Sequence, residues 1–425
     1  MVTVPDGAPV AVPGTAPDPG QDPSPGRAPR LRTLDALRFA AAAGVVLYHF
    51  TARWSTVWGR DPGETFPVLG NVALYFSLAP ELFFVLSGFV ILWTAWGRTV
   101  PQVVASRVAR LYPAYWAALA LTSVLLLVLW PEGKDVSPGE VAVNTTLLQA
   151  LFDVRHVDGV YWTLWAELRF YVLVVLLVWL GLTRRRVVAF ATLWPVLATV
   201  AHRQDWDTLS MVLIDGYAPF FAGGMALFLV WRDGHRPVTW AVVALNVVLG
   251  VTGVGLGKQA TLEQVTVFEP NPWVLGAVTV ACFAAVAVAT LTPVSRLDLR
   301  WFSTVGALTY PVYLVHLFWG WWVISLLSDH LAPWLTLTIA VAVSLGLAMV
   351  IHHGVERPLN RPMRRAVERG LRAVAAVLSP DPRAGQGSGI PPTAPGGSVP
   401  AATASQKAGD ASGSSRTVEP TSPGR

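Results

Sequence analysis

Apolar residues in this chain run in blocks separated by short charged segments. Ten stretches are apolar over most of their length: 34–52, 72–96, 112–130, 161–182, 187–202, 209–231, 238–256, 272–292, 301–326 and 332–353. Each is close to the ~20 residues with which an α-helix crosses a bilayer. Lipid offers the backbone no water to bond, so a helix, which satisfies its own peptide groups, is the form such stretches take. The pattern predicts an all-α, polytopic membrane protein of about ten transmembrane helices. The fifth stretch is the shortest and ends in a polar patch, His202-Arg203-Gln204-Asp205.

Composition sharpens this. Hydrophobic residues make up 53% of the 425 positions and charged residues 13%, against about a quarter charged in soluble domains. Residues 1–30 are rich in Pro, Gly, Ala and Asp, with no charged-then-apolar leader, so no cleavable signal peptide is expected. The C-terminal stretch is rich in Gly, Ser, Pro, Ala and Thr and lacks the apolar surface to order itself. The expected organisation is a disordered tail over 1–30, a transmembrane domain over 31–370 and a disordered tail over 371–425. The single cysteine, Cys282, excludes an internal disulfide and thiolate metal clusters; no metal site is expected.

Charge sets the orientation. With the N-terminus inside, the inner segments carry Arg27, Arg30 and Arg32, then Arg98, Arg107 and Arg110, then Arg184, Arg185 and Arg186. They also hold Arg232, Arg236, Arg296, Arg300 and a cluster from Arg357 to Arg372. The outer loops carry far fewer basic residues. That bias predicts both termini in the cytoplasm and an even number of spans. It also accounts for the +5 net charge without a nucleic-acid partner.

Ionisable residues inside apolar stretches cost several kcal/mol in lipid and mark candidate functional sites. Arg38 and His49, eleven residues apart in the first stretch, fall on one helix face about 16 Å apart along the axis. Neutral imidazole is suited to taking a proton near pH 7. Glu81 opens the second stretch, and Ser87-Gly88 within it suits a close helix approach. Arg107 and Arg110, in the segment that follows, share a face if helical and match the geometry of phosphate; an ordinary basic loop is the plainer account. Glu167 enters the fourth stretch, and Tyr310, Tyr313 and His316 progress along the ninth beside Pro311.

Taken together, these segments resemble the acyltransferase-3 family of bacterial integral-membrane O-acyltransferases. The likeness is collinear from about 31 to 365. It rests on Leu34-Asp35-Ala36-Leu37-Arg38 with His49, Glu81 through Phe89, and Arg107-Val108-Ala109-Arg110-Leu111-Tyr112-Pro113. It continues through Trp162-Thr163-Leu164 with Glu167 and Phe170-Tyr171, Gly306 with Tyr310, Tyr313 and His316, and Glu356-Arg357-Pro358. Ala36 stands where the family usually has Gly, and Glu81 where Asp is frequent. The resemblance implies transfer of an acyl group, usually acetyl, from a cytoplasmic acyl-CoA to a hydroxyl of a cell-surface glycan or a secreted small molecule, in the bacterial inner membrane. Acyl-CoA is then a cosubstrate, with no bound cofactor. The residue roles implied are His49 as base or transient acyl carrier, Glu81 or Glu167 orienting it, and Arg38, Arg107 and Arg110 holding the donor. Tyr310, Tyr313 and His316 are assigned to the acceptor side. A secondary transporter is the alternative; it predicts an inverted repeat, and the Arg38–His49 face has no counterpart in the second half.

Overall fold

The computed structural model describes residues 31–378; the expected tail 1–30 and residues 379–425 lie outside the described residues. Eleven long helices make up most of it: α1 (Arg32–Leu47), α2 (Ala79–Ala95), α3 (Val100–Val124), α4 (Trp162–Leu180), α5 (Arg184–Arg203) and α6 (Ala218–Asp233). They continue with α7 (Pro237–Gly250), α8 (Pro272–Leu291), α9 (Arg300–Leu327), α10 (Pro333–Ile351) and α11 (Arg357–Leu378). No strand forms among the described residues, only an isolated bridge between Arg53 and Thr266. The chain divides into units 1–374 and 375–425. The helical bundle belongs to the first, and among the described residues the second contributes only the last turn of α11.

Eight segments are long and apolar enough to cross a membrane. Two of the ten expected spans fall short, although both are helical. One is α1, extended by a π-helical turn over Tyr48–Ala52, and its polarity comes from Asp35, Arg38 and His49. The other is α5, which begins with three arginines and ends with His202 and Arg203. A second difference concerns Arg107 and Arg110. They lie within α3, which starts at Val100 behind a Thr99 whose backbone N–H donates to Gln102 Oε1 at 3.1 Å. A proline in the first turn also suits a helix start, so the basic segment is helical and its two arginines share a face.

Helix α6 is the hub of one half of the bundle, buried at every position from Ala218 to Val230. A helix apolar all round belongs inside. It packs on α2, α5, α7 and α8. Gly88 of α2 and Gly224 of α6 make the first of these approaches possible: a Cβ on Gly88 would sit 2.0 Å from Phe221 O, and one on Gly224 2.1 Å from Val85 O. Helix α1 packs against α9, α2 and α8, so the span that carries Asp35, Arg38 and His49 lies among neighbours.

Four of the described helices, α3, α5, α9 and α11, carry an interior proline, which removes an N–H and frees the carbonyl four residues earlier. In α5 and α3 an asparagine from another helix supplies the missing donor. Asn246 Nδ2 of α7 donates to Ala191 O, four residues before Pro195, at 3.0 Å; Asn360 Nδ2 of α11 donates to Ala109 O, four before Pro113, also at 3.0 Å. These two prolyl breaks therefore become helix–helix bonds.

The segment 131–161 closes the bundle at the far end of α9 from the arginines. Lys134 donates to the carbonyls of His156 and Val157 and lies 5.9 Å from the Phe318 ring centre. Asn144 holds Arg155 O and Val157 N. Asp158 is fully buried and accepts from Val160 N at 3.0 Å, but its second oxygen has no hydrogen-bond partner. Burial pushes its carboxyl up to about 7, although the Val160 N–H and Lys134 pull the other way.

These bonds set two expectations for stability. Asn246→Ala strands the Ala191 carbonyl and lowers stability by about 1–3 kcal/mol, measured by thermal melting in detergent. In a Pro195→Ala background the penalty shrinks, because the restored helical N–H takes that carbonyl; an undiminished penalty would refute the pairing. For Asp158, the folded state keeps a proton that the unfolded chain releases near pH 4. Stability therefore falls as pH rises from about 4 to about 7, by roughly 4 kcal/mol, and then levels off. Asp158→Asn removes that slope, melting above wild type at pH 8 and together with it at pH 4.

Candidate active site

Helices α1, α2, α3, α4, α9 and α11 enclose a cavity of about 480 Å³. Its charged lining is four arginines, Arg38, Arg107, Arg110 and Arg364, and two carboxylates, Asp35 and Glu167. The three arginines expected at the donor site are thus brought together, from two helices, and joined by Arg364, which the sequence pattern does not single out. Arg38 is 3.5 Å from Asp35. Arg107 donates to the hydroxyls of Thr94 at 3.2 Å and Ser106 at 3.3 Å, and its guanidinium lies over the Tyr171 ring. Arg110 pairs with Glu356 and lies over the Tyr310 ring at 5.4 Å.

Glu356, which the sequence names only within Glu356-Arg357-Pro358 and without a role, is the ion-pair partner of the cavity-lining Arg110. It is 3% exposed, and its other oxygen is 2.9 Å from His352 Nδ1. A π-helical turn over His352–Glu356 carries both groups. The i, i+4 spacing of His352 and Glu356 is visible in the sequence; the partner 246 residues away is not.

The two carboxylates expected beside His49 have their hydrogen bonds elsewhere. Glu81, fully buried, accepts from Lys258 Nζ at 2.7 Å, and that ammonium also bonds Ser77 O at 2.6 Å. Glu167 accepts from Ser87 Oγ at 3.1 Å and Tyr171 OH at 2.7 Å. Glu81 is fully buried and Glu167 partly so, and each bonds donors within its reach in the bundle.

The group that meets His49 is His316, with Nε2 of His316 3.1 Å from Nδ1 of His49. Nδ1 of His316 faces two carbonyls, Tyr313 O at 2.9 Å and Val312 O at 3.2 Å. A ring nitrogen facing carbonyls carries the proton, which leaves Nε2 of His316 as an acceptor. Nδ1 of His49 then donates, towards His316 and towards Val45 O at 3.0 Å. By elimination, Nε2 of neutral His49 holds a free lone pair. Trp321 Nε1 donates to His49 O at 3.1 Å and steadies the π-helical turn.

Tyr313 stands between cavity and histidines. It lines the cavity, its ring centre is 5.9 Å from that of His316, and its hydroxyl bonds Thr163 Oγ1 at 2.8 Å and Val160 O at 3.0 Å. Tyr310, one turn nearer the arginines, donates to Leu111 O at 2.9 Å. Of the three residues assigned to the acceptor side, Tyr310 and Tyr313 therefore line the arginine cavity, and His316 lies beyond it. The arrangement offers an anion-binding chamber at one end and a neutral base one helical turn past its wall.

A family model described as an acyltransferase domain matches residues 31–353. The chain is also similar to "Protein 2 in picA locus" of Rhizobium radiobacter, 33% identical over 129 residues. That alignment covers 27% of this chain and 59% of the relative, so less than two thirds of the relative's length is spanned. No solved structure matches.

Glu356→Gln keeps the side-chain shape but withdraws the charge from Arg110. It lowers stability by about 1–3 kcal/mol, and Glu356→Ala lowers it further. Melting of both variants in detergent at the wild-type temperature would show that the cluster does not hold α3 to the end of α10.

Proposed function

The chain belongs to the acyltransferase-3 family and is a multi-pass membrane acyltransferase, and from that premise we propose that it moves an acyl group, acetyl by preference, from cytoplasmic acyl-CoA to a hydroxyl. The acceptor is a cell-surface glycan or a secreted small molecule, and the bilayer is the bacterial inner membrane. On this reading α1 and α5 complete ten spans, both termini lie in the cytoplasm, and the arginine cavity opens there, as the basic bias of the inner segments supports.

The observation that carries the proposal is the placement of Arg38, Arg107, Arg110 and Arg364 in one cavity whose wall, Tyr313, is one turn from the His49–His316 pair. Guanidinium groups suit the donor's phosphates, binding them in forked pairs. The thioester is drawn toward the histidines as the pantetheine arm extends along the cavity. Nε2 of His49 takes the proton of the acceptor hydroxyl as its oxygen attacks the thioester carbonyl. A C–O bond forms, the C–S bond breaks, and the departing thiolate is protonated from His49. His316 acts as a positioning residue: it fixes the His49 tautomer and does not touch the substrate. Glu81 and Glu167 take other parts, Glu81 balancing Lys258 and Glu167 lining the donor cavity.

The test is acyl transfer by purified protein in proteoliposomes, with labelled acetyl-CoA and a panel of hydroxylated glycans. His49→Ala is expected to lower transfer about 10²–10⁴-fold with the melting temperature retained. His316→Ala lowers it less and shifts the pH profile, since His49 keeps its lone pair but loses its fixed tautomer. Full activity in His49→Ala would remove it from the chemistry. A wild-type protein that moves solute across the bilayer but never consumes donor would be a transporter.

A further inference from the structure

A second cavity, of about 670 Å³, opens beside the first. The two share Asp35, Arg38, Val90 and Ser303 in their linings, so Arg38 stands at their junction. The walls of the second differ in kind. Trp93 and Trp96 come from the end of α2 and the turn after it, Phe228 and Trp231 from the end of α6, with Arg98 and Arg232 at the rim. The Trp93 and Trp231 ring centres are 5.3 Å apart with planes inclined by 56°, so they form a wedge, not a closed stack. Both are only partly buried. Arg232 lies 3.5 Å over the Trp96 ring and 3.3 Å from Asp233. Around Arg98 the charge is crowded: burial, then Arg364 and Arg107, hold its guanidinium below the ordinary range, with Glu368 opposing.

Aromatic faces beside arginines at the mouth of a membrane protein need an occupant that is flat at one end and anionic at the other. Interfacial tryptophans normally anchor a bundle by facing lipid headgroups; these face a cavity continuous with the donor chamber. We propose that this cavity seats the adenosine 3′-phosphate of the acyl-CoA donor, its base against Trp93 and Trp231 and its 3′-phosphate on Arg98 and Arg232, with the 5′-diphosphate passing across Arg38 to the arginines of the first cavity. The inference rests on the acyl-CoA reading above and adds the part of the donor that this chain recognises. The smaller cavity then receives the diphosphate, the pantetheine arm and the thioester, and Arg38 grips the diphosphate at the junction.

The experiment compares two donors, acetyl-CoA and acetyl-pantetheine, which share the thioester and the arm but differ in the nucleotide. In proteoliposomes the wild type is expected to prefer acetyl-CoA in kcat/KM. Trp231→Leu narrows that preference about tenfold, in the range by which an aromatic platform favours a base, and Trp231→Phe restores part of it. Labelled 3′,5′-ADP binds the wild type in detergent and binds Trp231→Leu about tenfold more weakly. If Trp231→Leu does not fold, Trp93→Leu carries the same comparison. An unchanged preference in a folded variant, with the wild type turning over acetyl-CoA, overturns the seat and leaves the donor reading standing. A wild type that uses neither thioester overturns both. Displacement of 3′,5′-ADP by phosphatidylglycerol vesicles, with no preference between donors, would assign the arginines to a lipid headgroup and overturn the seat.

Discussion

Polar groups that cannot reach water have to find their partners on other helices, and in this bundle those partners decide which helices touch. Leaving one unmade costs several kcal/mol in an apolar medium, so each bond acts as a constraint on register as well as an attraction. Arg110 ties α3 to Glu356 at the end of α10. Asn246 ties α7 to α5 and Asn360 ties α11 to α3, in both cases at a carbonyl released by proline. Lys258 ties its segment to α2 through Glu81. His316 ties α9 to the end of α1. The arginine cavity is what these ties leave open: its walls come from six helices, and three of them, α1, α3 and α11, present the guanidinium groups.

Much of the frame is legible along the chain, because apolar blocks of bilayer length leave few other structures open. Where that legibility ends, a polar group is at work inside the bundle. Helix α1 is less apolar than most other spans because it carries Asp35, Arg38 and His49. Helix α5 is less apolar because it starts with three arginines and ends with His202 and Arg203. Residue type and position are enough to single out Arg38, His49, Arg107 and Arg110. Their partners are not legible, since periodicity describes one helix at a time. His49 and His316 are 267 positions apart, and Arg110 and Glu356 are 246 apart. Face arguments also group Tyr310, Tyr313 and His316 along α9 without saying which chamber each one meets.

On the proposed reading, in which His49 is the base, its pairing with a second histidine, not a carboxylate, has a consequence for transfer inside a membrane. A carboxylate against Nδ1 stabilises the imidazolium that forms when the hydroxyl proton is taken. In a low-dielectric site that ion pair would also hold the proton after the reaction. Neutral His316, locked by the carbonyls of Val312 and Tyr313, orients His49 as well but offers it no charge. In the proposed reaction the imidazolium of His49 is then short-lived, and the thiolate leaving the donor is the base that takes its proton. Protonating that thiolate makes it a poor nucleophile, so the ester cannot readily revert, and His49 returns to the neutral form with its free lone pair. Proton return and product commitment become one event. On that reading the histidine pair itself carries no standing charge between turnovers.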